Sequence, residues 1–195
     1  MGSCGRLWVC EMGFLKNRKI AVLIAFVIAV LATLFGVHRS LSFLSGDIER
    51  MFYDGVYLDD EGYTQPGIDS QVSRYAAATL DIASVLVLYP VLSDSAEEVM
   101  QLRRVLLDAQ SIGDKSLAFW TMSRYVNSLI QAAAGVDLSE RDMEVVSVHS
   151  RTISGAEGFI REAAYNQRVS ERWSEQSALA RLIGAFTPVR EPEMF

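Results

Sequence analysis

Few residues in this chain have the type and spacing that catalysis needs. Its only two histidines are His38 and His149. A di-iron helical site needs a glutamate three residues before a histidine on two helices, and neither histidine has one. His149 is open as a general base, although a surface or capped histidine is the favoured interpretation. The chain also lacks His-Glu-x-x-His, a glycine-rich phosphate loop and Gly-x-Ser-x-Gly, so we predict no enzymatic activity, no metal site and no cofactor.

Two further groups of residues resemble metal ligands only loosely. Residues 59–62, Asp-Asp-Glu-Gly, lack the alternating ligand order and the distal glutamate of an EF-hand loop, so an acidic, solvated turn is favoured over a calcium site. Cys4 and Cys10 have no histidine nearby, and a disordered leader is favoured over a metal pair. No cysteine follows Cys10, so the rest of the chain depends on packing rather than on disulfides.

The run Ile20–Val37 dominates the hydropathy of the chain, because it holds no charge, amide or proline. A helix of this length reaches about 27 Å, close to the hydrocarbon thickness of a bilayer. No face of the run is polar, which argues against a buried soluble helix. No clean small-residue cleavage site follows it, which favours an uncleaved anchor over a signal peptide. We therefore predict a single-pass protein of the cell membrane that contacts the lipid bilayer through Ile20–Val37.

The charges beside this run predict its orientation. Residues 1–19 hold four Lys or Arg, whereas Arg39 and Arg50 are the two found in the first twenty residues on the far side. The positive-inside rule then favours a cytoplasmic amino terminus and an extracytoplasmic domain. Met12 begins an ordinary basic sequence ahead of an anchor and is an alternative start to Met1.

Residues 38–195 are acidic. The chain carries a net charge of −6 and residues 1–19 carry +3, which leaves −9 beyond the uncharged run. Nucleic-acid phosphates require Lys and Arg, so the acidic domain argues against a nucleic-acid partner. Its length is enough for one domain with a core. The predicted organisation is a basic leader at 1–19, a transmembrane helix at 20–37 and a bundle domain at 38–195.

Apolar residues recur at helical spacing throughout that domain. No segment shows sustained strand alternation, which makes a sheet improbable. The fold class is therefore predicted as all-α: one amino-terminal transmembrane helix followed by an antiparallel bundle of four to five long helices. The expected segments run from Arg39 to Gly55, from Asp69 to Tyr89, from Ser95 to about 110, from about 115 to Gly135, and from Ser139 through Val169.

Several details of these helices can be tested directly. Pro90 is expected to end the second helix, and Ser95 is expected to begin the third through a capping box with Glu98. Residues 111–114 are expected to form a turn that contains Gly113. The inward face of the fourth helix is predicted to include Leu117, Trp120, Tyr125 or Met122, and Val126. Ser139 is expected to cap a last helix that keeps its period for about thirty residues.

A set of motifs carries a family resemblance: Arg39-x-Leu41-x-x-Leu44, Met51-Phe52, Ala163-x-Tyr165-Asn166-x-x-Val169, the segment Leu179–Phe186, then Pro188 and Phe195. Together with the leader and the anchor, this order resembles the bacterial LemA family, and the chain is identified as a diverged member. It departs from the family where the usual Phe-Pro pair after the Tyr-Asn element is missing, with Trp173 near that place.

The resemblance implies a single anchor and a long-helix bundle, and it implies no established catalytic chemistry. It singles out candidate structural or interaction residues: Tyr165, Asn166, Phe186, Pro188 and Phe195. From the residues alone, a packed tyrosine and a hydrogen-bonded asparagine that lock the last helix are favoured over a binding site. Residues 187–195 are expected to fold onto the bundle rather than lie on the membrane surface, because Glu191 and Glu193 offset the charges of Arg181 and Arg190.

Two functions from different classes stay open. The favoured one is a membrane-tethered structural or protein-interaction module, whose partner is an unidentified protein or a second copy of the chain. The other is a sensory or ligand-binding ectodomain that signals through the anchor. The short leader carries no effector, which favours the module, whereas a pocket inside the bundle would favour the sensor.

Overall fold

The computed structural model describes residues 18–58, 62–174 and 193–195. Within those ranges it contains six helices and a two-stranded hairpin, so the predicted all-α fold class is confirmed. The elements are α1 (Arg18–Asp54), β1 (Val56–Leu58), β2 (Tyr63–Gln65), α2 (Ile68–Leu86), α3 (Ser93–Asp108), α4 (Ile112–Ala133), α5 (Glu140–Glu162) and α6 (Tyr165–Ser174). The described residues divide into two compact units, residues 18–45 and the remainder, and the second unit holds the bundle.

Helix α1 contains the apolar run and continues past it without a break, so the predicted segments at 20–37 and 39–55 form one helix. An eighteen-residue window in it has a mean hydropathy of 3.0, and none of that window is buried. The helix is therefore long and apolar enough to cross a membrane. It ends at Asp54, and the next residue, Gly55, has a φ of +103° that L side chains rarely adopt.

The bundle is built around α2, which packs mainly on α5 and also on α3 and α4. Short connections join these antiparallel helices. Helix α2 buries a continuous apolar face that includes Val72, Tyr75, Ala76, Ile82 and Leu86.

A hairpin of two short strands precedes the bundle, although the sequence made a sheet improbable. Strands β1 and β2 pair antiparallel, with Val56 opposite Gln65 and Leu58 opposite Tyr63. Each strand has three residues, which is too short for alternation to be visible in the sequence. Residues 59–61, where the acidic turn is predicted, lie outside the described ranges.

The start of α5 is confirmed and the start of α3 is not. Ser139 is the N-cap of α5, and its hydroxyl accepts a hydrogen bond from the Asp142 backbone N–H at 3.2 Å. Helix α3 begins at Ser93, two residues before the predicted cap, and its N-cap Leu92 offers no side-chain bond. The Leu92 backbone N–H donates to the backbone oxygen of Tyr89, which forms a turn directly before α3. Because the helix already begins at Ser93, Ser95 lies inside it.

The inward face of α4 differs from the prediction. Trp120 is only half-buried, whereas its neighbour Phe119 is fully buried. Leu117 is also exposed rather than inward, and Met122 and Val126 are buried as expected. The helix starts at Ile112 with Ser111 as its cap, so the predicted turn over residues 111–114 is in fact its first turn. Both Phe119 and Trp120 are large and apolar, and periodicity alone does not distinguish them.

The predicted thirty-residue last helix is two helices. Helix α5 ends at Glu162, and Ala163 has an extended backbone with ψ of 132°. Helix α6 then starts at Tyr165. The apolar period continues across the break because Ile160, Tyr165 and Val169 are all buried.

Candidate functional site

The corner between α5 and α6 presents the Tyr165–Asn166 pair. Ala164 follows the extended Ala163, and its backbone N–H donates to Gln65 Oε1 at 3.0 Å. The Gln65 side chain on β2 thereby pairs the N–H of the residue just before α6, where backbone donors have no partner within the helix. Tyr165 and Asn166 consequently stand on the first turn of α6, where their side chains reach residues 193–195.

Asn166 binds the main chain of Phe195 with both ends of its amide. Its Oδ1 accepts from the Phe195 N–H at 2.8 Å, and its Nδ2 donates to the Phe195 backbone oxygen at 2.6 Å. The amide supplies one donor and one acceptor, as a neighbouring β-strand would. This arrangement recognises a peptide unit without reading its side chain.

Tyr165 binds the same segment two residues earlier. Its hydroxyl donates to the Glu193 backbone oxygen at 2.9 Å. The residue is 1% exposed. Burial, together with the nearby carboxylates of Glu49 and Glu193, raises the pKa of Tyr165. The hydroxyl therefore stays protonated and remains a donor over the physiological range.

The carboxylate of Glu193 lies at the amino-terminal end of α4. One of its oxygens accepts a hydrogen bond from the Gly113 backbone N–H. Gly113 is in the first turn after the Ser111 cap, where backbone N–H groups have no partner within the helix. A negative charge is favourable at this end of a helix, so the position selects an acidic side chain.

The ring of Phe195 enters an aromatic cluster. Its centroid lies 5.4 Å from that of Phe52 and 5.5 Å from that of Phe119, and Phe52 in turn lies 5.7 Å from Tyr165. Both Phe52 and Phe119 are fully buried. Aromatic pairs at these separations add stabilisation beyond the area that they bury.

The ammonium group of Lys115 contacts aromatic rings of this cluster. Its Nζ lies 5.7 Å from the Phe52 ring centroid and 5.2 Å from that of Tyr53. The same ammonium contacts Asp69 Oδ1 at 2.6 Å. The cation thus joins the end of α1, the start of α2 and the first turns of α4.

We call the site formed by Phe52, Gly113, Phe119, Tyr165 and Asn166 the tail site, because residues 193–195 occupy it. It brings together three of the five candidates that the sequence offered, Tyr165, Asn166 and Phe195. The other two, Phe186 and Pro188, lie outside the described residues.

Sequence reasoning missed three members of this arrangement. Gly113 was assigned to a turn, although a Ser at position 111 with Asp at 114 is an N-cap signal that could have placed it in a helix. Phe119 was passed over for Trp120. Glu193 was treated only as a charge that offsets nearby arginines. No local pattern pairs it with Gly113, since the two residues are eighty positions apart.

The candidate general base lies elsewhere. Nδ1 of His149, on α5, is 3.4 Å from Asp81 Oδ2 on α2, and both side chains are partly exposed. This pair links two packed helices at the surface. Among the described residues, no three His, Cys, Asp or Glu side chains come together as a metal-binding group.

A separate groove of about 620 Å³ lies between α3 and α4. Its lining includes the apolar residues Leu102, Val105 and Leu117 and the acidic residues Asp108 and Asp114. Val105 and Leu117 are 58% and 71% exposed.

Comparison of the chain with protein-family models, with curated proteins and with solved structures found no match.

Proposed function

We propose that this chain is a single-pass membrane protein of the LemA type, and that its helical domain is a structural or protein-interaction module without catalytic activity. The observation that carries the proposal is the apolar part of α1, where a window of mean hydropathy 3.0 has no buried residue. An exposed apolar helix of this length is costly in water and stable in a bilayer.

The chemistry of the tail site supports an interaction role. An amide that pairs with a main chain, a buried phenol and a set of aromatic rings are groups that recognise a peptide segment. The specific motifs of the LemA resemblance are the Tyr-Asn element and the tail, and Asn166 of the first binds Phe195, the described residue of the second. The contact supports the assignment because it gives both motifs one structural purpose.

Membrane association is tested by fractionation of cells that express the full chain. We expect the protein to sediment with membranes, to resist alkaline carbonate and to dissolve in detergent. Introducing two charges, Ile28→Arg with Leu31→Arg, should move it to the soluble fraction, since a centrally placed arginine costs about 2.5–3.5 kcal/mol. Phe43→Arg, beyond the apolar run, is the matched control and should leave the protein in the membrane. A carbonate-soluble parent chain would contradict the proposal.

The proposed orientation has the amino terminus in the cytoplasm and the acidic domain outside. A cysteine at the exposed Thr64, in a chain with Cys4→Ser and Cys10→Ser, should react with an impermeant maleimide on intact cells. A variant that keeps Cys10 alone should react only after lysis. The reverse pattern would show that the acidic domain is cytoplasmic.

Ligand sensing is the second candidate function, and the groove between α3 and α4 is the observation that favours it. A photo-reactive residue in place of Leu117 separates the two functions in intact cells. A cross-link to a protein supports the interaction module. A small apolar ligand that raises the melting temperature, with the effect lost in Leu117→Lys, supports the sensor.

A further inference from the structure

We infer that the tail site is a recognition site for peptide segments with glutamate two residues before phenylalanine. Residues 193–195 fill this site within the chain. A partner protein that carries such a segment binds when residues 193–195 leave the site. This inference rests on the proposed interaction function and names the chemistry of the partner.

The specificity follows from which groups of residues 193–195 are contacted. The Glu193 side chain is bound at the start of α4 through Gly113, and the Phe195 ring packs on Phe52 and Phe119. Met194 between them is 51% exposed. In an extended peptide, alternate side chains point to opposite sides, so positions 193 and 195 face the site and 194 faces solvent. The site therefore reads Glu-x-Phe.

The remaining contacts hold the main chain of any such segment. Tyr165 donates to the backbone oxygen of residue 193, and Asn166 pairs with both backbone groups of residue 195. Contacts of this kind give affinity, while pockets for alternate side chains give specificity, as in other modes of extended-peptide recognition. A segment from another protein can make the same bonds.

The resident segment controls access. Glu193–Phe195 belongs to the same chain as its site, so its local concentration exceeds that of a partner peptide in solution. A second segment enters to a measurable extent only when the resident one is removed or displaced. The tail site is thus closed in the conformation described here and becomes available on release of three residues.

The test uses the full chain in detergent micelles, with and without residues 193–195. The probe is a fluorescent peptide with the sequence of residues 190–195, Arg-Glu-Pro-Glu-Met-Phe, followed by polarisation. We expect the truncated chain to bind it at least about tenfold more tightly than the intact chain, which is about 1.4 kcal/mol. Glu193→Ala or Phe195→Ala in the peptide should weaken binding about tenfold, and Met194→Ala should leave it nearly unchanged.

Matched variants of the truncated protein locate the binding. Asn166→Ala should abolish it, whereas Asn127→Ala, on the exposed face of α4, should not. Failure of the truncated chain to bind, while its circular dichroism shows the helical content of the intact chain and it still melts cooperatively, would overturn the inference. Equal binding of all four peptides would overturn it as well. If truncation unfolds the protein, the intact chain carrying Phe195→Ala replaces it, with the same expected order of peptides. Because the readout is made in detergent, it is independent of membrane fractionation, and the two proposals can fail separately.

Discussion

The side-chain amide of Asn166 replaces a β-strand partner for Phe195. One end accepts from the Phe195 N–H at 2.8 Å and the other donates to the Phe195 backbone oxygen at 2.6 Å. The two residues are 29 positions apart in sequence, so α6 provides a fixed platform for a distant segment. The strength of this attachment depends on the amide having both a donor and an acceptor.

Asn166→Asp tests that dependence. At neutral pH the aspartate has no donor and sets a negative charge against the Phe195 oxygen, so we expect a loss of about 1–3 kcal/mol. For a domain of this size, each kcal/mol lowers the melting temperature by about 2–4 °C. Thermal melts of the full chain in detergent measure the change. Asn127→Asp is the control, because the Asn127 amide makes only a long hydrogen bond of 3.5 Å to the Ser123 hydroxyl. This variant should melt near the temperature of the parent chain. Equal losses in both variants would contradict the assigned role of Asn166.

Phe119 and Trp120 test the corrected face of α4. Phe119 is fully buried between Tyr75 and Phe195, with ring centroids at 4.9 Å and 5.5 Å. Phe119→Ala should therefore cost about 3–5 kcal/mol through the cavity that it leaves. Trp120 is half-buried and lies beneath the Arg161 guanidinium at 5.3 Å, so Trp120→Ala should cost clearly less. Chemical denaturation of the two variants gives the order. A larger loss for Trp120→Ala would restore the face that periodicity predicted.

The same pair of residues shows what the sequence could establish. Helical spacing was enough to find α4, because buried residues such as Met122, Val126 and Leu129 recur along one face. Helical spacing did not decide whether residue 119 or residue 120 faces the core, because Phe119 and Trp120 are both large and apolar. Packing against Tyr75 decides the phase, and that contact joins two helices that periodicity treats separately.

The break between α5 and α6 was hidden for a related reason. Ile160, Tyr165 and Val169 keep facing the core, so the apolar pattern passes through Ala163 unchanged. The break is stabilised by Gln65, which accepts from Ala164 N–H across 99 positions of sequence. The family resemblance pointed to Tyr165, Asn166 and Phe195 as candidates. The residues that complete the site lie on α1 and α4, and only the folded structure shows that they come together.

Replacement of glycine by alanine is predicted to have opposite effects on stability at Gly67 and at Gly155. A Cβ on Gly67 would overlap the backbone oxygen of Tyr53, and neither backbone can move without disturbing the hairpin. Gly67→Ala should therefore destabilise strongly, by more than about 2 kcal/mol. Gly155 lies inside α5 with open space where a Cβ would stand, so Gly155→Ala should stabilise by up to about 1 kcal/mol. Melting temperatures should move in opposite directions, and a shift in the same direction would show that the approach of Gly67 to Tyr53 is wrong.

Tyr89 and Asp142 predict how stability depends on acid. The Tyr89 hydroxyl donates to Asp142 Oδ2 at 2.6 Å and the Ser139 hydroxyl donates to it at 2.7 Å. These bonds, the one from Tyr89 first, hold the pKa of Asp142 below its ordinary value of 3.8. A lowered pKa in the folded state contributes stability that is complete above the unfolded value and is lost as the pH falls through the folded one.

Tyr89→Phe removes the largest cause of that shift. The variant should be less stable than the parent at pH 7, and its deficit should shrink as the pH falls below 3.8, since the parent then loses what the variant already lacks. A residual deficit should persist, because the Tyr89 hydroxyl also accepts from the Ser139 N–H at 3.0 Å, a bond that does not depend on the charge of Asp142. Denaturant midpoints at neutral and acid pH measure both parts. Tyr125→Phe, with its ring exposed on α4, is the control and should show no pH-dependent difference from the parent. A Tyr89→Phe deficit that stays constant across the acid range would mean that the hydroxyl does not stabilise the ionised form of Asp142.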